Sequence, residues 1–144
     1  MSPTVRHIAN ACFISLATAA VLYLTPLHYL NFIRPTMHEV QPQALSQEYQ
    51  KDSSGYMLID VRPPTDYVAG HIPHSVNIPI YELSDSWATL PHFGKTIVLI
   101  CGDGRLATIA YGFLQYHGLF NLQHLTNGLD AWEAAQLPVA VGDQ

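Results

Sequence analysis

Cys101-Gly102-Asp103-Gly104-Arg105 puts a potential nucleophile, two glycines and a cation within one short segment. It follows the apolar run Ile97–Ile100 and precedes residues with a helical pattern. Two chemistries fit such a stretch. In the first, Gly102-x-Gly104-x-x-Ala107 is the glycine-rich turn of a dinucleotide-binding strand–turn–helix. That turn requires an acidic residue about 20 positions further on, at the end of the next strand, to hold the ribose hydroxyls. The sequence has Asn121-Leu122-Gln123-His124-Leu125 there and no acid before Asp130. Asp103 would also face a pyrophosphate with the wrong sign of charge. In the second, Cys101 is the nucleophile and the glycines shape a cradle around its sulfur. Loop N–H groups, the positive end of the following helix and Arg105 favour a thiolate over a thiol. The same donors suit the oxygens of an anionic substrate. Gly102 and Gly104 let the loop curl with its amides inward, because glycine accepts positive φ.

Taken singly, Cys101 reads as a small buried hydrophobe and Arg105 as a solvated arginine at a helix start. Their position in the chain argues otherwise. Gln43–Lys51 reads as a short helix, closed by Asp52-Ser53-Ser54-Gly55, and Tyr56–Val61 as a buried strand. Pro63-Pro64-Thr65-Asp66 opens a helical turn, with proline tolerated at its start. Gly70–Pro73 is a loop, Ser75–Ile78 a short strand, and Leu83–Leu90 a helix closed by Pro91 and Gly94. Thr96–Cys101 is the most apolar strand and is expected to be central. Ala107–His117 is a helix ended by Gly118, Leu122–Leu125 a strand, and Leu129–Gln136 a last helix before Pro138. Strands alternating with helices predict an α/β fold with a central, mostly parallel sheet flanked by helices. Ligands bind such sheets beyond the carboxyl ends of the strands, which is where Cys101 falls.

With these elements in place, the sequence resembles a single-domain rhodanese, a sulfurtransferase. The resemblance rests on Leu58-Ile59-Asp60-Val61-Arg62, then Asp66-Tyr67 leading to Gly70-His71-Ile72-Pro73, and Asn77-Ile78-Pro79. Cys101-Gly102-Asp103-Gly104-Arg105 fits the CxxGR form of the active-site loop, and Leu125-Thr126-Asn127-Gly128-Leu129 with Trp132 resembles the closing segment. These motifs span roughly Met37 to Val141. The resemblance implies a Cys101 persulfide formed from a small anionic donor such as thiosulfate, and a thiol, or cyanide in an assay, as acceptor. It implies ping-pong kinetics and no cofactor. Gly102, Asp103, Gly104, Arg105 and Leu106 would then bind substrate. Asp60 and Arg62 are structural supports, Asp60 bonding nearby N–H groups and Arg62 pairing with Asp66. His71 and His74 lack a third metal ligand, and His71 belongs to the Gly-His-Ile-Pro turn.

The sequence also departs from the pattern. Leu106 and Ala107 stand where several rhodanese loops carry Ser, Thr or a second basic residue. Asp103 sets a negative charge beside the sulfur, which predicts weak activity with thiosulfate and a less charged or protein-borne donor. Phosphatases and arsenate reductases with a similar loop carry arginine six positions after the cysteine, where this chain has Ala107. A tethered sulfur carrier, redox sensor or protein-binding module is the alternative outside catalysis.

The chain has 144 residues, 49% hydrophobic and 12% charged, which suits one folded domain. From Pro35 onward four basic residues stand against eleven acidic ones, which argues against nucleic acid or anionic lipid as the partner. Cys12 and Cys101 are the two cysteines, and neither a disulfide framework nor a CxxC zinc motif is indicated. Ile8–Ile33 carries no charged residue and exceeds the roughly 20 apolar residues a membrane helix needs. Residues 1–34 are therefore read as an N-terminal apolar helix serving as single-pass anchor, with residues 35–144 as the domain. The amino terminus and Arg6 before the span outweigh Arg34 after it by one charge, which the positive-inside rule reads as an inside N-terminus with the domain on the outer, periplasmic face. A signal peptide cut near Ala17-Thr18-Ala19, giving a secreted or periplasmic domain, and a soluble packing helix are the alternatives.

Overall fold

The computed structural model describes residues 37–142. The expected anchor, its cleavage site and Cys12 lie outside the described residues, and among those described no helix is long and apolar enough to cross a membrane. The elements are β1 (Glu39–Val40), α1 (Pro42–Lys51), β2 (Tyr56–Asp60), α2 (Pro64–Ala69), β3 (Val76–Asn77) and α3 (Leu83–Ser86). They continue with β4 (Thr96–Ile100), α4 (Arg105–Tyr116), β5 (Leu122–Leu125) and α5 (Gly128–Ala134). The strands form one parallel sheet in the order β1-β5-β4-β2-β3. The parallel α/β sheet flanked by helices that the sequence predicts is thus found, while the expected N-terminal apolar helix lies outside the described residues.

β4 is the middle strand, and Ile97, Val98, Leu99 and Ile100 are all inaccessible to solvent. That burial on both faces is why its sequence is apolar without alternation. The two-residue period of a strand still sorts its side chains. Ile97, Leu99 and Cys101 join Ala107, Ala110, Tyr111 and Leu114 of α4 in one core layer. Val98 and Ile100 face the other way and pack with Leu45 of α1 and Leu129 and Trp132 of α5. Cys101 therefore continues the α4-facing row of β4, one residue beyond the last paired residue.

Three boundaries differ from expectation. α4 begins at Arg105, two residues early, because Gly104 at φ 95° turns the chain directly into the helix. The expected helix Leu83–Leu90 becomes α3 followed by a tighter 3₁₀ turn at Trp87–Thr89. β1 was not expected at all. It is two residues long, exposed at Glu39, and exists by pairing Glu39 and Val40 with His124 and Leu125.

Candidate active site

Cys101 sits where β4 stops and α4 has not yet begun. Its sulfur accepts a hydrogen bond from the Gly104 N–H at 3.0 Å. That bond needs the chain to double back within three residues, which the left-handed Gly104 permits. The carbonyl side of the loop is held from across the sheet. The N–H groups of Leu129 and Asp130, in the first turn of α5, donate to the Cys101 and Gly102 oxygens at 2.7 and 3.0 Å. Asn127 and Gly128, both left-handed at φ 54° and 58°, bend the chain so that these amides meet the loop. A Cβ on Gly128 would clash with the Cys101 and Gly102 carbonyl oxygens. The loop is therefore fixed by a second segment whose part in the site sequence reasoning missed. The signal was the Asn127-Gly128 pair immediately before a helix.

Of the expected binding residues, Gly102, Asp103, Arg105 and Leu106 line an open groove of about 620 Å³ together with Arg62, Pro63, Asp66, Ile109 and Asp130. Gly104 faces the sulfur instead, and Cys101, fully buried, is not among the groove's lining residues. Arg105 does not reach for the sulfur. Its Nε donates to Asp103 at 2.5 Å, and its backbone N–H donates to the same carboxylate at 3.0 Å. These two bonds from Arg105 hold the Asp103 carboxyl below the usual carboxylate range. Asp103 thus carries its charge beside the loop, but neutralised by the arginine expected to bind substrate.

Asp60, the last residue of β2, and Arg62 just beyond it form a buried pair on the neighbouring strand. Arg62 does not pair with Asp66, as its sequence position suggested. Its Nε bonds both Asp60 oxygens at 3.0 and 3.1 Å and its Nη2 bonds Oδ2 at 2.6 Å. The physical reason is that the short Asp60-Val61-Arg62 turn already brings the two together, with the Arg62 N–H on Asp60 Oδ1 at 3.0 Å. Nη2 also donates to the Gly70 carbonyl at 2.7 Å, tying β2 to the end of α2. Burial opposes the Arg62 charge, but the hydrogen bond and charge of Asp60, with lesser help from Asp66 and Cys101, outweigh it and hold its pKa above the ordinary value. His71 is buried against Tyr67, ring centroids 3.8 Å apart, with Nδ1 2.9 Å from the Tyr67 carbonyl. It is a packing residue of the Gly70–Pro73 turn. Among the described residues no three His, Cys, Asp or Glu side chains gather as a metal site.

Comparison with known proteins bears on this geometry. The model of the rhodanese-like domain matches residues 41–135. An uncharacterized protein of Synechocystis sp. is 36% identical over 100 residues, covering 69% of this chain. This chain spans 54% of that relative's length. A sulfurtransferase of Allochromatium vinosum is 25% identical over 103 residues, covering 72% of this chain and 94% of the relative. The crystal structure of a rhodanese-related protein from Thermoplasma volcanium superposes with a TM-score of 0.64 at 32% identity, over 72% of this chain and 98% of that one.

Proposed function

The chain belongs to the rhodanese-like domain family, and we propose that it is a sulfurtransferase working through a persulfide on Cys101. The observation that carries this reading is the Gly104 amide directed at a cysteine sulfur at the carboxyl end of the central strand. In the first half-reaction the Cys101 thiolate attacks the outer sulfur of a donor. A new S–S bond forms, the donor's own S–S bond breaks, and its electron pair leaves with the remainder, sulfite when the donor is thiosulfate. In the second, an acceptor thiolate attacks the outer sulfur of the persulfide, carries it away and restores the Cys101 thiolate. Two covalent half-reactions on one sulfur give ping-pong kinetics.

The groove argues for which donor. Its cations are Arg62 and Arg105, and each is matched by its own aspartate, Asp60 and Asp103. Asp66 and Asp130 add two further carboxylates to the lining. A small dianion meets net negative charge there and is disfavoured, whereas a neutral or cationic persulfide, or one borne on a basic polypeptide segment, is not. Thiosulfate is thus a poor donor for this protein. Arg105 binds the anionic part of a donor only by leaving Asp103, an exchange that exposed pairs permit because they are weakly held. Because Cys101 is fully buried, whatever covers its sulfur must move before it can react.

The same burial favours a second reading, a sensing or sulfur-carrying module whose thiol is released only by a partner. One experiment separates the two. The full chain in detergent, incubated with thiosulfate or a neutral alkyl persulfide, is weighed intact beside Cys101→Ser. One added sulfur, absent in the variant and released by cyanide, is expected. No adduct from folded protein whose Cys101 still reacts with an alkylating probe would leave the module as the better reading.

The location of the protein is part of the proposal. The uncharged stretch Ile8–Ile33 supports a single-pass anchor, with the domain on the outer face. Resistance of the chain to alkaline extraction from membranes, and cleavage of the domain by protease added outside, are the expected results.

A further inference from the structure

The three most exposed aromatic side chains among the described residues lie at the end of the sheet opposite Cys101. All five strands are parallel, so the segments that enter them share one end. There Phe93 is 90% exposed, Tyr116 87% and Phe120 72%. Phe93 precedes β4, while Tyr116 and Phe120 flank the turn between α4 and β5. The Asn121 side chain stitches the two turns together by donating to the carbonyls of Pro91 and Lys95 at 2.9 and 2.5 Å. Trp87 stacks on His117 beside them, with centroids 4.3 Å apart.

Basic side chains stand at both ends of the sheet, and acidic ones at the aromatic end include Asp52 and Glu48, which accepts from the Tyr56 hydroxyl at 2.8 Å. Arg62 and Arg105 stand at the carboxyl end, whereas Lys51 at the close of α1 and Lys95 before β4 are exposed at the aromatic end. Asp52, also at this end, has its carboxylate engaged by the Ser54 N–H and hydroxyl at 3.0 and 2.6 Å. Exposed aromatic rings are a composition that membrane–water interfaces select. The chain enters the sheet at this end too, since β1 begins at Glu39 and runs parallel to its neighbour. Immediately upstream in sequence is the uncharged stretch Ile8–Ile33.

From these observations we infer that the aromatic end of the domain rests on a lipid bilayer surface, with the Cys101 loop directed away from it. The inference depends on the anchor reading above and goes beyond it, because a tether alone would leave the domain free to turn in any direction. It also gives Phe93 and Phe120, which the core does not use, a place out of water.

The chain's two tryptophans make the test direct. Trp87 is at the aromatic end, while Trp132 is buried with its Nε1–H on the Pro138 carbonyl at 2.8 Å. The full chain is reconstituted in phosphatidylcholine vesicles containing a headgroup nitroxide lipid, as Trp132→Phe to observe Trp87 and as Trp87→Phe to observe Trp132. Strong quenching of Trp87 with none of Trp132 is expected, and loss of that quenching when Phe93→Ser and Phe120→Ser are added. Both phenylalanines are exposed, so the folded state of the double variant is checked by its unchanged circular dichroism. Protein that floats with the vesicles but leaves Trp87 unquenched overturns the inference and spares the anchor. Failure to float overturns both. Unquenched Trp87 together with self-association that the double variant abolishes would assign this end to a second copy of the chain instead.

Discussion

Asp60-Val61-Arg62 and Asp103-Gly104-Arg105 place the same two side chains at the same spacing, each beyond or at the carboxyl end of a strand. The local geometry is nearly repeated. In both, the aspartate accepts the arginine's backbone N–H at 3.0 Å and then its Nε. What differs is the surroundings. Asp60 is inaccessible and the Arg62 side chain is 10% exposed, with a further bond to Gly70. The Arg105 side chain is 88% exposed and has no partner beyond Asp103 among the described residues. A bend of this kind is therefore a sequence-local unit whose role is set by burial. The first pair is a fixed brace, and the second is a clasp exposed enough to open.

The contrast breaks most visibly on the buried side. Asp60→Ala leaves the Arg62 guanidinium buried without its counter-charge, and a loss of about 3–5 kcal/mol in urea unfolding is expected. A loss no larger than that of a surface substitution would place the brace among the dispensable pairs. Gly128→Ala is next. It forces a left-handed conformation on a β-carbon, about 1–2 kcal/mol by itself, and also pushes against the Cys101 and Gly102 carbonyls. Lower stability together with faster alkylation of Cys101 is expected, because the loop loses its hold on α5. Unchanged alkylation would mean that α5 does not restrain the sulfur.

On the exposed side the effects move from stability to function. Arg105→Ala is expected to change stability by no more than about 0.5 kcal/mol, while raising the apparent KM for an anionic donor. Asp103→Asn frees the arginine and is expected to lower that KM with little change in kcat. If both variants leave KM unchanged, the clasp takes no part in donor binding. The smallest effect is in acid. The Asp103 carboxyl is held below its ordinary value of 3.8 by the Arg105 N–H, then by the guanidinium. Its contribution to stability is fully present above pH 3.8 and is lost as the pH falls through the lower folded value. Stability curves of wild type and Asp103→Asn should run parallel above that pH and converge below it.

The sequence discloses these two bends unequally. β2, β4 and β5 are legible because burial leaves compact apolar runs, and Cys101 is legible because such a run stops at it. Arg62 was matched to the wrong aspartate, since composition along the chain does not say which of Asp60 and Asp66 a short turn brings closer. β1 was invisible because two residues hold no period. The bonds from Leu129 and Asp130 to the site loop are made by backbone amides, which carry no residue signature. The charge of the groove was half legible. Asp103 stood out, but Asp66 and Asp130 come to its rim only through the parallel crossovers.

The attachment of the Cys101 and Gly102 carbonyls to the first turn of α5 has a consequence for how the protein is made. Synthesis delivers Cys101 well before Asn127–Asp130, and the first strand, β1, waits for β5 to pair with. A partly synthesised chain carries the thiol without the segment that fastens its loop. The nascent protein is therefore open to oxidation or premature modification at Cys101 until α5 has been translated and docked.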